Sequence, residues 1–171
     1  MNSAENAPSP NRDNLLTVKE VFDEYGLDFW LMFGCFLGLY RDGDLISYDT
    51  DIDLALRSED EGLYNKCEKA LFKKGFKEIC THKHARAVKR HGVSMDFLFF
   101  KDKGRKKIYG YVDSIDSADF EKYNFVTWMG KEFRIFCNPE RWLKYIYGAD
   151  WKTPIKGRHA ANQVYGGDFE K

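Results

Sequence analysis

The chain has 171 residues, of which 43% are hydrophobic and 16% aromatic, and its formal net charge is zero. This length and apolar content predict a single folded domain with a sizeable core, and they exclude an intrinsically disordered chain. Because 27 basic residues are balanced by 27 acidic ones, the chain lacks the basic excess that general nucleic-acid binding requires, and we expect no such binding.

Targeting and cysteine patterns favour a cytoplasmic protein without a membrane span. No apolar run reaches the ~18 residues that a spanning helix needs. The N-terminal residues lack the charged and apolar regions of a signal peptide. The four cysteines are scattered without the spacing of a zinc site, which is typical of reduced thiols.

The N-terminal segment is predicted to be a leader followed by a helix. Residues 1–12 are rich in Pro, Ser and Asn, which is typical of a disordered leader. Apolar residues then recur at helical spacing over residues 15–25, and Gly26 is expected to end this helix. Asn11 or Asp13 is the expected N-cap residue.

The next stretch predicts a site for an anion. Residues 28–33 are apolar and rich in aromatic residues, which predicts a buried strand, and residues 35–40 predict a short helix. Gly34 between them allows the backbone N–H groups to approach an anion. We therefore expect the backbone of Gly34 and Cys35 to bind phosphate, with Arg41 beyond the helix able to pair with it.

An alternation of acidic and apolar residues from Asp51 predicts a strand. Alternate residues of a strand point to the same face, so Asp51 and Asp53 should project side by side while Ile52 faces the core. Adjacent carboxylates repel each other unless a cation lies between them, and their oxygen atoms suit Mg²⁺ or Mn²⁺. The alternative is a solvated strand end, but the glycines, arginine and aspartates upstream in one ordered block favour the metal site.

A second helix and a short strand follow. Ser58 and Glu61 have the spacing of a capping box, and Gly75 is expected to end the helix. Residues 76–80 predict the strand.

Residues 82–91 contain three histidines and four basic residues. Such a cluster could indicate a metal or RNA site, but the histidines lack zinc spacing. The simpler interpretation is a strand with alternating exposed charges. One of Arg86, Lys89 and Arg90 is expected to reach a phosphate, and the pattern does not choose among them.

Asp96 lies inside the apolar run of residues 93–100, which predicts a strand. A buried carboxylate without a partner is very costly, so Asp96 needs a metal, a cation or several hydrogen-bond donors. The alternative is that Asp96 lies at the edge of the strand and caps a turn.

The second half of the chain predicts a β-rich extension and a last helix. Asn138 and Pro139 are typical of a helix start, and Gly148 of its end. We expect the folded domain to span residues 13–154, followed by a flexible tail over residues 155–171. The other expected elements are a basic turn at residues 101–107, strands at residues 107–112 and 125–128, and a hairpin turn at residues 129–131 leading into a strand at residues 132–136.

The block over residues 33–53 resembles the nucleotidyltransferase superfamily, in which glycine follows an apolar residue and Asp-x-Asp lies further on between apolar residues. It is more similar to the LicD/fukutin-like family, whose members read G-x-L-L-G-x-x-R and then W-D-D-D-I-D. The matching residues are Gly34, Leu37, Gly38, Arg41 and the segment Tyr48-Asp49-Thr50-Asp51-Ile52-Asp53.

Three positions depart from that pattern, because Cys35 replaces a small residue, Tyr48 replaces tryptophan and Thr50 replaces the middle aspartate. Near the C-terminus, a proline-started helix that ends at Tyr147 and is followed by an aromatic residue and Pro154 also resembles the family.

This resemblance implies an α/β fold of the nucleotidyltransferase type, a mixed β-sheet with helices packed against it, extended by a β-hairpin and a C-terminal helix. It implies that Asp51, Asp53 and Asp96 are catalytic and hold one or two metal ions, and that Asp96 accepts the proton of an attacking hydroxyl. It also implies that Arg41 and Asp49 orient the phosphate or the substrate.

The implied reaction moves phosphocholine or a polyol phosphate from a CDP-linked donor to a hydroxyl of a glycan acceptor and releases CMP. Two alternatives remain open. A small nucleotidyltransferase would use the same three aspartates to transfer NMP from an NTP to a small alcohol. A non-catalytic module would keep the fold without the chemistry, although the retention of all three aspartates argues against it.

Overall fold

The computed structural model describes residues 9–103, 106–109 and 112–156. Its helices are α1 (Pro10–Tyr25), α2 (Phe33–Arg41), α3 (Glu61–Lys73), α4 (Ser117–Glu121) and α5 (Pro139–Tyr147). Its strands are β1 (Trp30–Leu31), β2 (Asp51–Arg57), β3 (Lys77–His82), β4 (Ala85–Arg90), β5 (Val93–Lys103), β6 (Lys106–Tyr109), β7 (Val112–Asp116), β8 (Asn124–Trp128) and β9 (Lys131–Ile135).

The strands form one mixed sheet in the order β3-β4-β5-β2-β1-β9-β8, and β6 extends from β5 to pair with β7. β2 pairs with β5 in parallel, as β1 does with β9, and the other pairs are antiparallel. The predicted α/β class with a mixed sheet is confirmed. Within the described residues, no helix is both long and apolar enough to cross a membrane.

One face of the central strands packs against α1 and α3. Phe97 of β5 lies between Phe22 of α1 and Tyr64 of α3, with ring centroids 5.5 and 5.0 Å away. Fully buried aromatic rings of this kind contribute much of the hydrophobic stabilisation of a core. The apolar residues that alternate with the aspartates in β2 and β5 therefore lie on this face.

Among the described residues, helices cover the opposite face over the half of the sheet that contains β1 and β9. There Phe36 of α2 packs against Trp142 of α5 and against Phe136, with centroids 5.2 and 6.1 Å away. Trp30 of β1 stacks on Phe120 of α4 at 4.1 Å. The part of this face over β3 and β4 carries no helix among the described residues, which leaves room for a ligand.

Several predicted elements are confirmed. Gly26 ends α1 with φ +73°, a conformation that glycine adopts without strain. The acidic strand and the strand that contains Asp96 are β2 and β5. The hairpin turn at Met129 joins β8 to β9, and α5 begins at Pro139 and ends before Gly148.

Other predictions about the helix starts were wrong. α1 begins at Pro10, before the expected caps, because proline suits the first helical position. The capping box does not form, since Ser58 starts a 3₁₀ turn and α3 begins only at Glu61, without a side-chain cap. α2 begins at Phe33 rather than after Gly34, which shortens the expected strand to two residues.

Two strand predictions also needed correction. β3 extends to His82, and the turn before β4 contains His84, which therefore does not share a strand face with Arg86. Residues 107–112 are not one strand, because β6 ends and the chain reverses into antiparallel β7. Residues 1–8 of the predicted leader, 157–171 of the predicted tail, and residues 104–105 and 110–111 lie outside the residues that the structure describes.

Candidate active site

Two aspartates face each other across the parallel strands β2 and β5. Asp53 is the direct register partner of Asp96, and paired residues of neighbouring strands project from the same face. Their neighbours Leu54 and Phe97 point the other way and are buried. The alternation of each strand therefore sends the apolar residues into the core and both carboxylates to the uncovered face.

Asp51 and Asp49 extend this acidic row. Asp51 pairs in register with Ser94, and the Ser94 hydroxyl donates a hydrogen bond of 2.8 Å to Asp96 Oδ1. Asp49 lies in the loop directly before β2, within electrostatic range of Asp51. Four carboxyl groups therefore lie close to one another at this end of the sheet.

Burial and neighbouring charges raise the pKa values of three of these carboxyl groups, those of Asp49, Asp53 and Asp96. Burial raises the pKa of Asp49 to about 7, and the adjacent carboxyl group of Asp51 adds to the shift. Burial and then the charges of Asp51, Asp96 and Asp49 raise the pKa of Asp53 well above its usual range. Burial also raises the pKa of Asp96, although the Ser94 hydroxyl partly offsets this. Such mutual repulsion is typical of a site that awaits a cation.

Gly34 lies in the first turn of α2, directly beneath Asp49. A Cβ atom on Gly34 would lie 2.0 Å from Asp49 Oδ2, so only glycine leaves room for that carboxylate. The N-cap residue Met32 provides no side-chain hydrogen bond to the first turn. The N–H groups of a first helical turn have no partner within the helix, so those of Gly34 and Cys35 are suited to an anion.

The Cys35 side chain is buried beneath this turn. Its thiol lies 3.0 Å from the Met32 carbonyl oxygen and 3.2 Å from that of Asp53. Burial and the charge of Asp53 raise the pKa of the thiol. Cys35 therefore ties α2 to β2 and presents only its backbone to a ligand.

Arg41 and Tyr147 approach the site differently. Arg41 lies at the far end of α2, ~10 Å along the axis from Gly34 at the usual helical rise. It donates two hydrogen bonds of 2.7 Å to Asp42 and one of 3.3 Å to the Trp151 carbonyl. The structure thus does not bring Arg41 to the first turn of α2. Burial raises the pKa of Tyr147 in α5, and the nearby charges of Cys35, Asp53, Asp49 and Asp51 raise it further. Tyr147 therefore lies within electrostatic range of the acidic row.

The start of α1 anchors the loop that leads into the acidic strand. Asn11 donates a hydrogen bond of 2.8 Å to the Asp49 carbonyl. Arg12 forms an ion pair with Asp44, which also accepts a hydrogen bond of 3.0 Å from the indole of Trp128. Residues that the sequence assigned to a leader therefore hold the loop of the site.

Comparison with known protein families identifies the family of this chain. The model of a protein family described as LicD/FKTN/FKRP, nucleotidyltransferase domain, matches residues 26–147, which include the acidic row, α2 and Tyr147. This chain belongs to that family. It is thereby a transferase of the nucleotidyltransferase superfamily, as the resemblance implied. No curated protein sequence matches the chain significantly.

Solved structures share the fold of this LicD-family domain. The crystal structure of ANT(2″)-Ia in complex with adenylyl-2″-tobramycin superposes with a TM-score of 0.58 at 15% identity, over 85% of this chain and 79% of that one. The lincomycin-bound lincosamide antibiotic adenylyltransferase LnuA gives 0.56 at 11% identity, over 77% and 83%. These similarities confirm the predicted nucleotidyltransferase-type fold.

The donor set of the LicD-family domain fits a hard divalent cation. Carboxylate oxygens are the ligands that Mg²⁺ prefers, usually one or two of them together with phosphates and water. Among the described residues, no three Asp, Glu, His or Cys side chains converge closely enough to surround a metal ion. Asp51 and Asp53 would therefore hold such an ion together with a ligand's phosphate, and Asp96 lies beside Asp53 on β5.

The structure separates the three basic residues that the sequence left open. The guanidinium of Arg86 pairs with Glu61, and that of Arg90 pairs with Asp13, both on the face covered by α1 and α3. Lys89 is exposed and is the register partner of Ser94, so it projects from the acidic face. Of the three, Lys89 is therefore the one whose side chain projects from the acidic face, while Arg86 borders a pocket beside Asp53 and Asp96. Contact of either residue with a phosphate stays a prediction.

Sequence reasoning missed several residues of this face. Ser94 was detectable, because it lies two residues before Asp96 and alternation places both on one side. Tyr147 carried a weaker signal as the last residue of a helix that resembled the family. No sequence signal indicated the pocket of about 270 Å³ that opens beside Asp53 and Asp96, because the residues that line it are distant in sequence. They are Phe33, Asp53, Cys80, His82, Ala85, Arg86, Ala87, Asp96 and Leu98.

Proposed function

We propose that this LicD-family domain transfers a phospho-alcohol group, phosphocholine or a polyol phosphate, from a CDP-linked donor to a hydroxyl of a glycan acceptor. The observation that carries the proposal is the register of Asp53 with Asp96, which puts two carboxylates from separate strands on one open face. Family membership supplies the reaction class. The donor and the acceptor are inferred from the resemblance to LicD/fukutin-like enzymes.

The proposed reaction needs little covalent chemistry from the protein. The acceptor oxygen forms a bond to the phosphorus of the phospho-alcohol, and the bond from that phosphorus to the oxygen of CMP breaks. The hydroxyl proton passes to Asp96, and CMP leaves with the electron pair of the broken bond. Such transfers depend mainly on positioning and charge neutralisation.

Each group of the site has a role in this scheme. Asp51 and Asp53 would hold a bound Mg²⁺ or Mn²⁺ ion, which would neutralise charge that develops on the phosphate oxygens. The N–H groups of Gly34 and Cys35 bind the phosphate that becomes CMP. Asp49, which lies over Gly34, orients that phosphate. Arg41 is proposed to act on the substrate from the far end of α2.

The test measures ligand binding and product together. Thermal unfolding is followed with Mg²⁺ and CDP-choline, CDP-glycerol, CDP-ribitol or an NTP, and released CMP and pyrophosphate are assayed with glycan acceptors. A ligand at 100 times its Kd adds about 2.7 kcal/mol of stability, which raises Tm by roughly 2–4 °C per kcal/mol in a chain of this size.

We expect a magnesium-dependent rise in Tm with a CDP-alcohol, followed by CMP release, and no release of CMP by the Asp53→Asn variant. Pyrophosphate release from an NTP would replace the proposal with the nucleotidyltransferase reaction. Absence of both products and of any Tm shift would contradict the proposal and favour the non-catalytic module.

A further inference from the structure

The pocket beside Asp96 is built from two rows of residues that cross the sheet. Asp53, Asp96, Ala87 and Cys80 are register partners in successive strands from β2 to β3, as are Ala55, Leu98, Ala85 and His82. Both rows project from the uncovered face. The pocket therefore begins at the carboxylates and ends at the β3–β4 hairpin.

Small side chains create the space. Ala85 and Ala87 form the floor over β4, and Leu98 and Phe33 border it. Larger side chains at the two alanine positions would fill the pocket, because both positions line it. Among the described residues, no helix covers this part of the sheet. The volume of about 270 Å³ lies just below the ~300–1,000 Å³ of pockets for drug-sized ligands, so it suits one small ring.

The far end of the pocket is polar. Cys80 Sγ lies 2.9 Å from His82 Nε2, and both side chains line the pocket. The Arg86 guanidinium braces this hairpin, because it donates to the carbonyls of His82 and Ala85 and pairs with Glu61. An apolar floor with hydrogen-bonding groups at both ends matches a sugar ring, which has apolar C–H faces and a rim of hydroxyl groups.

The pocket extends from the carboxylate pair away from the phosphate-binding turn, whose first residue, Phe33, borders it. The first turn of α2 approaches β2 from the β1 side, where the thiol of Cys35 contacts the Asp53 carbonyl. The pocket instead continues from Asp96 across β4 to β3. In an in-line transfer, the attacking and leaving oxygens lie on opposite sides of the phosphorus.

We propose that this pocket is the acceptor site and that it takes a single sugar ring, whose hydroxyl is presented to Asp96. The inference rests on the proposed function, because it assigns the leaving CMP to the α2 side. Ala85 and Ala87 then determine which acceptors fit, and they act by size rather than by contact with the reacting atoms.

Cys80 offers a direct probe of occupancy. The purified protein is alkylated with iodoacetamide, and the modification of each cysteine is followed by peptide mass spectrometry. The probes are glucose, galactose and N-acetylglucosamine on one side, and CMP or CDP-choline with Mg²⁺ on the other. Cys137 is the internal control, because it is half-buried like Cys80 and is not among the residues that line the pocket.

We expect at least one sugar to slow alkylation of Cys80, by about tenfold at ten times its Kd, while Cys137 reacts at an unchanged rate and CMP has no effect on either. Protection of Cys80 by CMP or CDP-choline, but not by the sugars, would assign the pocket to the nucleotide and overturn the inference. Absence of protection by every probe would overturn it too.

A variant tests the size argument. Ala87→Leu should raise the KM for the glycan acceptor by at least ~10–200-fold, the range that a single methylene group causes in a fitted pocket. The magnesium-dependent Tm shift with CDP-choline should be unchanged. Thr81→Leu is the matched control, since it puts leucine on the same hairpin but on the opposite face, and its KM should stay at the wild-type value.

The outcomes separate the two proposals. If wild-type protein shows no Tm shift with any CDP-alcohol, the proposed function fails. If it shows that shift and releases CMP, but Ala87→Leu keeps the wild-type KM for the acceptor, only the assignment of the pocket fails.

Discussion

The two faces of the strand pair β2–β5 share one backbone and one register but differ in what their side chains meet. On the face towards α1 and α3, Leu54 and Phe97 are fully buried among aromatic rings. On the other face, burial raises the pKa values of their sequence neighbours Asp53 and Asp96, and the charges of Asp51 and Asp96 raise that of Asp53 further. Burial on the apolar face stabilises the fold, whereas repulsion between the carboxylates of the acidic face destabilises it. A bound cation would offset this repulsion.

The largest expected effect comes from the acidic face. Asp53→Asn should lower turnover by 10²–10³-fold or more, as removal of one charge-stabilising group does in other enzymes. The free energy of unfolding should stay constant or increase, because the substitution removes a charge from a repelling row. Turnover and thermal unfolding are the measurements, and Asp23→Asn, on an exposed turn of α1, is the control. Near-normal turnover in Asp53→Asn would contradict the proposed mechanism.

The buried face should respond in the opposite way. Phe97→Ala should lower the free energy of unfolding by about 3–5 kcal/mol, because it leaves a cavity between Phe22 and Tyr64. Denaturant unfolding measures this loss, and turnover per folded molecule should change little. A large loss of turnover in a still-folded variant would show that the two faces are not independent.

Gly34 and Gly38 show, within the single helix α2, the same contrast between a position that affects the reaction and one that affects stability. A Cβ atom on Gly34 would meet the mobile end of Asp49, whereas one on Gly38 would lie 2.7 Å from the backbone carbonyl of Asp44. Gly34→Ala should therefore displace a site carboxylate and lower turnover by up to ~10²-fold with little change in stability. Gly38→Ala should lower Tm, because the backbone of the loop must move.

The result is read from kcat together with Tm for each variant. A Gly34→Ala variant with wild-type kcat would mean that the position of Asp49 does not matter to the reaction.

A smaller, pH-dependent effect is expected at Asp44. Burial raises the pKa of this carboxyl, but the hydrogen bonds from Arg12, the Leu45 amide and Trp128 outweigh it, so the pKa is lowered in the folded state. Its contribution is therefore present above the unfolded pKa of ~3.9 and is lost as pH falls through the lower folded value. Because the side chain is 41% exposed, Asp44→Asn should cost only about 0.5–1 kcal/mol at pH 7.

Unfolding of wild-type and Asp44→Asn proteins is compared from pH 7 down to pH 3. The difference in stability should shrink over the lower part of this range. A difference that grows as the pH falls would contradict the ion pair with Arg12.

The smallest effect is expected at Cys35. Because its thiol lies within hydrogen-bond distance of the Met32 and Asp53 carbonyl oxygens beneath α2, Cys35→Ser should keep a hydrogen bond at this position and change kcat/KM by no more than a few-fold. A loss as large as that of Asp53→Asn would assign the thiol itself a role in the reaction. Cys137→Ser serves as the control.

The sequence alone determined the parts of this protein that depend on local periodicity. Alternation in residues 51–56 and 93–100 predicted both strands and the face of each aspartate, because side-chain direction in a strand repeats every two residues. The spacing of Gly34, Arg41 and the acidic segment sufficed to identify the family. The start of α5 at Pro139 was predicted correctly, but the starts of α1 and α2 were not, since Pro10 and Phe33 begin helices where the local caps indicated other residues.

Only the tertiary structure decided which residues meet across the chain. The register that puts Asp53 opposite Asp96 and Lys89 beside Ser94 follows from packing against α1 and α3, which no local pattern encodes. The same holds for the anchoring of the loop at residues 42–50 by Arg12, and for the pocket, whose lining comes from four strands and one helix start. A pocket is the space that distant side chains leave unfilled, so it exists only once the sheet has formed.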